Sequence, residues 1–410
     1  MAEDQIRIDE YDPFSQDVMG NPLPYYKELR RERPVFYSEK YDGYFFSRYD
    51  DIIELLNHVD NSFMASEGTL PTPDVLTKHN TAAPPILPTD PFPLSQRLGM
   101  PIHGDVRRAH ILPMMPRSVK ALREFVRDRA NERIDVLLPQ GTFDLTREYG
   151  GIISSSVIMH LMGMPLELAG EALDLVNAGS LVNPETGGVD TGAAAKKVIE
   201  FYLPWVRKRM EQGADGSVPM VDGMINYRFE GKALSPEQVA QQLGCAFIGG
   251  IESVPKVTAH GLMELNARPE QMAQVRANLE DNVPKAAEEM IRYCAPAQWF
   301  MRTAHQPVTV AGQKIEPGQR AFYIVASALR DENRFDDPDE FQWNRDIRHT
   351  LAFGHGMHLC IGLNLARMEV RVLVDTFLRR VPSFRFDLGA SVRLPSSFQW
   401  GWNSLVVSVD

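Results

Sequence analysis

Apolar positions recur at helical spacing from Val106 to about Leu279, so this long stretch predicts a chain that is mainly α with a smaller β region. Ahead of it, Pro24 to Arg33 reads as a short helix stopped by Pro34. Val35 to Arg48 is rich in Tyr and Phe and strand-like, and Asp50 to His58 is helical again. Glu67 to Pro101 carries Pro71, Pro73, Pro84, Pro85, Pro88, Pro91, Pro93 and Pro101, too many for any long regular element. It is either a linker or a loop folded over a site. Glu171 to Ala178 and Ala193 to Gln212 are helical stretches separated by a Gly-rich connection. Ser235 to Ala267 is a long helical candidate in which Ser235, Pro236 and Gln238 suit the cap, the first turn and the capping-box partner. Gly249, Gly250 and Pro255 inside it leave two readings: two helices with a break, or one helix bent beside a ligand. After Pro284 a helix runs to Tyr293, and Val308 to Val325 reads as strand, turn, strand. A last helix covers about Ile361 to Arg380.

The 410 residues carry a formal charge of −11, which argues against a general nucleic-acid binder. Cys245, Cys294 and Cys360 form no CxxC pair, so neither a disulfide framework nor a zinc site is expected, and a reducing, cytoplasmic setting fits. The acidic start has no signal-peptide pattern. The most apolar run, Ile152 to Met164, is too short and too polar to span a bilayer, so no membrane partner is expected.

Candidate chemistry concentrates at Phe353-Gly354-His355-Gly356-Met357-His358-Leu359-Cys360-Ile361-Gly362, just before the last helix. Glycines permit a tight loop beside something flat. A cysteine at a helix N-terminus faces unpaired N–H groups that favour thiolate, which makes a good axial iron ligand. An inert buried cysteine and a Cys–His nucleophile are the other readings of the same residues. Glu289 and Arg292, three apart, share one helical face. Gly249-Gly250-Ile251-Glu252-Ser253 sets an acid and an alcohol side by side within the long helix. His103 and Arg107 stand one turn apart.

The cysteine loop resembles that of the cytochrome P450 family, F-x-x-G-x-H-x-C-x-G, with Phe353, Gly356, His358, Cys360 and Gly362 at the fixed positions. The resemblance extends over nearly the whole chain and implies a cytochrome P450 fold. Residues 1–410 would form a single domain, its β-rich part being roughly 1–65 plus 296–325. It implies b-type haem (iron protoporphyrin IX), Cys360 as the iron ligand, Phe353 near the sulfur, and propionates held by His103, Arg107, Arg302 and His358. Glu289, Arg292 and Arg345 would form a buried structural network worth roughly 3–5 kcal/mol if one partner is removed. Glu252 and Ser253 match the family's acid–alcohol pair, which feeds protons to dioxygen, although serine replaces the usual threonine and Pro255 follows closely. The acidic residue usual ahead of the first histidine is missing, with Met100-Pro101-Ile102 in its place.

By position the family also implies an apolar pocket with Phe247, Gly250, Ala297, Trp299, Phe300 and Phe398 among its walls, taking a small hydrophobic substrate and O2. No fused reductase is expected after Asp410, so electrons would come from a separate ferredoxin, of the [2Fe-2S] or a similar kind, served by an NAD(P)H-dependent reductase. The basic run Arg107, Arg108, Arg117, Lys120 and Arg123 is its expected docking face on a monomer. Two rival functions remain: a peroxide-using haem-thiolate enzyme, and a haem protein that binds a ligand without catalysis.

Overall fold

The computed structural model describes residues 6–70, 76, 97–179, 191–394 and 396–409. Most of the proline-rich stretch and the Gly-rich connection after Ala178 lie outside the described residues.

The two β-rich segments of the sequence meet in one five-stranded sheet. Its order is Val35–Ser38, Gly43–Phe46, Arg320–Tyr323, Phe300–Ala304 and Phe63–Met64. Gly43–Phe46 and Arg320–Tyr323 run parallel, pairing Gly43 with Arg320 and Phe46 with Tyr323, and the other pairs are antiparallel. Phe45 stacks on Phe322 at 4.2 Å across the parallel pair, sealing one face of this sheet. A second sheet joins Phe384–Arg393, Trp402–Val409 and Thr142–Asp144.

Helices build the larger core around Pro236–Asn266. This is one continuous helix, not two. Its start is fixed locally: Ser235 Oγ accepts from the Gln238 amide at 3.2 Å while Gln238 Oε1 accepts from the Ser235 amide at 2.9 Å. Pro255 has no amide to give the Ile251 carbonyl, yet the helix runs through, because residues on both sides of it are buried in the core. The helix expected after Pro284 begins earlier, at Leu279, where the Asn278 side chain caps the Asp281 amide. The proline is internal, not initiating. Pro116–Leu137 and Leu363–Arg380 pack against each other, and the latter also lies on Leu279–Tyr293 and on the long helix.

Glu369 sits in this core, fully buried, with Ser154 Oγ donating to it at 2.8 Å. Burial pushes its carboxyl up to about 8. The folded chain therefore holds a proton that the unfolded chain releases near pH 4.5. This contribution is complete below about pH 4.5 and is lost as pH rises through about 8. Glu369→Gln is expected to flatten the fall of unfolding free energy over that window, removing about 3 kcal/mol of it by pH 7, as read by denaturant titration at several pH values. Parallel curves for the two proteins would refute the assignment.

Candidate active site

The cysteine loop enters the core between Leu351–Phe353 and the helix Leu363–Arg380. The helix starts at Leu363 behind Gly362, so Cys360 lies in the turn just ahead of the cap and not in the first helical turn. Its amide donates to the Phe353 carbonyl at 2.9 Å, closing the loop. Gly356 has φ +67°, and a Cβ there would meet the Leu56 carbonyl oxygen at 2.2 Å, so only glycine fits. Burial pushes the Cys360 thiol up, while the Gly362 amide and Arg107 pull it down. Burial outweighs the pull of the helix-terminal amide. Deprotonation then falls to a bound cation.

Basic groups crowd this loop. His103 and His358 rings lie 4.3 Å apart, and His103 Nε2 is 3.0 Å from the Met357 carbonyl oxygen. Arg107 Nη2 donates to the Leu359 carbonyl at 2.6 Å, so it faces inward and is no part of an outer docking surface. Arg302 is buried against the Tyr323 ring at 5.2 Å and donates to its neighbour's carbonyl. Burial and then Arg302, His103 and Arg107 drive the His358 pKa well below its ordinary value. His110 behaves alike, lowered to about 4 by burial, Arg107 and His103. His358 Nε2 and both His110 ring nitrogens are buried without a hydrogen-bond partner among the described residues. Like charges gathered around orphaned donors fit an anionic ligand. A haem carries two carboxylates to that cluster and an iron to Cys360, so the residues present fit it.

Across from Cys360 runs the long helix. Cys245 lies deep in the protein yet its side chain is open, so it borders an interior space, and its thiol, raised to about 11 by burial, also feels Cys360. Gly249, one turn on, faces open space, and Ser253, another turn on, is half-buried. Cys245, Gly249 and Ser253 thus form the cavity face. Gly250 points elsewhere, since a Cβ on it would strike Ile158 at 2.3 Å.

Glu252 does not stand alone beside Ser253. Lys256 Nζ donates to its carboxylate at 2.8 Å and to Gln399 Oε1 at 2.5 Å, all three side chains being buried. The sequence reading missed both partners. Lys256 was findable from its i,i+4 spacing, whereas Gln399 is 143 residues away in sequence.

Besides Gly250, two expected pocket walls are corrected. Phe247 is 0% and Trp299 1% exposed, closed off by neighbouring side chains. Phe247 packs on Tyr202 at 4.8 Å, and Trp299 packs on Phe322 while its indole donates to the Ser397 carbonyl. Both are core. Ala297, Phe300 and Phe398 are half-buried, with the two phenyl rings edge to face at 5.5 Å.

Behind the cysteine helix, Glu289 and Arg292 are both fully buried and joined by two bonds of 2.7 Å. Arg345 Nε reaches the same carboxylate at 3.2 Å. Spacing put Glu289 and Arg292 on one helical face, the family resemblance added Arg345, and the three meet.

A family model described as cytochrome P450 matches residues 174–407. A putative cytochrome P450 123 of Mycobacterium tuberculosis is 28% identical over 97% of this chain and 96% of its own length. Among solved structures, a substrate-free cytochrome P450 of Mycobacterium marinum (CYP150A6) superposes with TM-score 0.82 at 22% identity, covering 98% of this chain and 99% of that one. CYP108D1 of Novosphingobium aromaticivorans superposes with TM-score 0.81 at 25% identity, covering 98% and 97%.

Proposed function

Because this chain belongs to the cytochrome P450 family of haem-binding monooxygenases, we propose that it inserts one oxygen atom of O2 into a small hydrophobic substrate, using electrons from a separate ferredoxin. The observation that carries this reading is the opposition of Cys360 to the face formed by Cys245, Gly249 and Ser253, with the Glu252 acid buried beside it. We take residues 1–410 as one domain, which the sheet formed from both β-rich segments supports.

Cys360 would hold the iron, while His103, Arg107, Arg302 and His358 would neutralise the propionates, with Arg offering a planar fork to each carboxylate. Phe353 would back the sulfur, its ring already covered by the Arg367 guanidinium at 4.9 Å. When bound, haem supplies the reductive activation of dioxygen. Ser253 is placed to hydrogen-bond a ligand on the cavity side, and Glu252 to hand protons on toward it. The open residues of that cavity face bear no charge, which suits a neutral apolar substrate. No helix among the described residues is long and apolar enough to cross a membrane.

The opposite surface offers a docking face for the electron donor. A groove of about 940 Å³ runs between Pro116–Leu137, Leu279–Tyr293 and Leu363–Arg380, where Lys120 and six arginines outnumber the acids Glu280, Asp281 and Asp375. It lies directly behind the cysteine helix and suits an acidic ferredoxin. Turnover with ferredoxin, reductase and NADH that exceeds turnover with peroxide is the expected result. The reverse order would favour the peroxide-using reading, and no oxidation by either route a ligand-binding role. Lys120→Glu with Arg123→Glu is expected to slow reduction about tenfold at low salt, the difference closing as the ionic strength rises. An unchanged rate and salt dependence would remove the docking assignment.

A further inference from the structure

Four ionisable side chains, Glu252, Lys256, His260 and Glu264, follow one another at four-residue intervals along the long helix, and Arg268 continues the interval just past its end at Asn266. That spacing stacks them in one row, each a turn from the next. The row is adjacent to the cavity face, since Glu252 immediately precedes Ser253. Its inner end is buried, with Glu252, Lys256 and His260 at 7%, 3% and 3% exposed. Its outer end reaches solvent, where the Glu264 and Arg268 side chains are 17% and 25% exposed.

The contacts run lengthwise. Lys256 meets Glu252 at 2.8 Å, His260 Nε2 meets Glu264 at 3.5 Å, and Arg268 meets Glu264 at 2.7 Å. Between Lys256 and His260 there is one helical turn, the spacing at which side chains on one helical face are neighbours. A cavity with room for about one water touches His260, Arg292, Arg330 and Trp400, the last ring stacked on that histidine at 5.7 Å, and Lys256 does not line it. Buried charges are costly unless they are paired or used. Here they run along a single face from Glu252 to Glu264, three helical intervals in all.

We propose that this row is the route by which protons enter from the surface at Glu264 and Arg268 and reach Glu252 through His260 and Lys256. The inference rests on the monooxygenase reading. Each turnover joins substrate, O2, two electrons from the donor and two protons, and yields the hydroxylated product and one water. Both protons come from solvent. Lys256 gives one to Glu252 and is recharged through the neutral ring of His260, while Glu264 collects from solvent. The charges facing His260 are Glu264 on its own helix, Arg330, and Arg393 of the C-terminal hairpin.

The test compares wild type with His260→Phe, which keeps the stack on Trp400, and with Glu264→Gln at the surface end. Both variants are expected to give about three- to tenfold less product per NADH, the remainder appearing as peroxide, and to show a larger solvent deuterium effect. Turnover with peroxide, which brings its own protons, stays unchanged. In the haem-free protein, the His260 resonance titrates with bulk pH, and Glu264→Gln lowers its pKa because the carboxylate favouring the charged ring is gone. Unaltered coupling and isotope effect in both variants would overturn the route, as would a His260 that ignores bulk pH. If His260→Phe fails to fold, Glu264→Gln decides alone. A wild type without turnover would instead count against the monooxygenase reading itself.

Discussion

Cys360→Ser is expected to leave a folded chain that has lost its monooxygenase activity by at least about a thousandfold, equivalent to about 4 kcal/mol of transition-state stabilisation. Folding survives because the loop is held by other means. The residue 360 amide still bonds the Phe353 carbonyl, Gly356 still clears the Leu56 carbonyl, and a serine side chain is no larger than the thiol it replaces. Stability should change by less than about 1 kcal/mol. The chemistry goes because a hydroxyl at this depth does not deprotonate readily and is a hard, weak iron ligand where the thiolate is soft and electron-rich. The check is paired: haem content and unfolding free energy on one side, the Soret position of the reduced carbonyl adduct and turnover on the other. A variant with haem bound, an unshifted adduct band and normal turnover would show that the sulfur is not the ligand.

How much of this was legible depended on distance along the chain. Local rules carried far. Ser235 and Gln238 announced the start of the long helix, and their reciprocal bonds are present. Glu289 and Arg292, three residues apart, face each other as helical geometry requires. The cysteine loop was readable because so many constraints fall within ten residues. Errors came where a local signal has two meanings. Pro284 stops or starts helices in many sequences, but here it sits inside one already begun at Leu279. An aromatic side chain is apolar whichever way it points, so nothing in Phe247 or Trp299 distinguished a cavity wall from core. The sequence reading placed Glu252 but not its partners, since Gln399 comes from a distant segment and Lys256 was read only as helix.

The network around Glu289 yields the largest expected loss of stability. Glu289→Ala should cost about 3–5 kcal/mol, because it strands two guanidinium groups in a space that excludes water. The loss propagates through named bonds. Arg292 also donates to the Leu329 and Pro338 carbonyls at 2.7 and 2.9 Å, and Arg345 bonds the Asp336, Asp337 and Glu340 carbonyls. The carboxylate therefore fixes two arginines that pin the irregular segment from Leu329 to Arg345 onto Leu279–Tyr293, just ahead of the cysteine loop. Arg292→Met should cost a similar amount by leaving the carboxylate exposed to only one arginine. The double variant should cost clearly less than the two losses added, since each removes the charge the other would strand. Denaturant unfolding of the three variants gives the cycle, and haem retention during unfolding reports whether the cysteine loop loosens with it. Additive losses, or a Glu289→Ala cost below about 1 kcal/mol, would mean that the arginines find water and that the proximal side is held by packing alone.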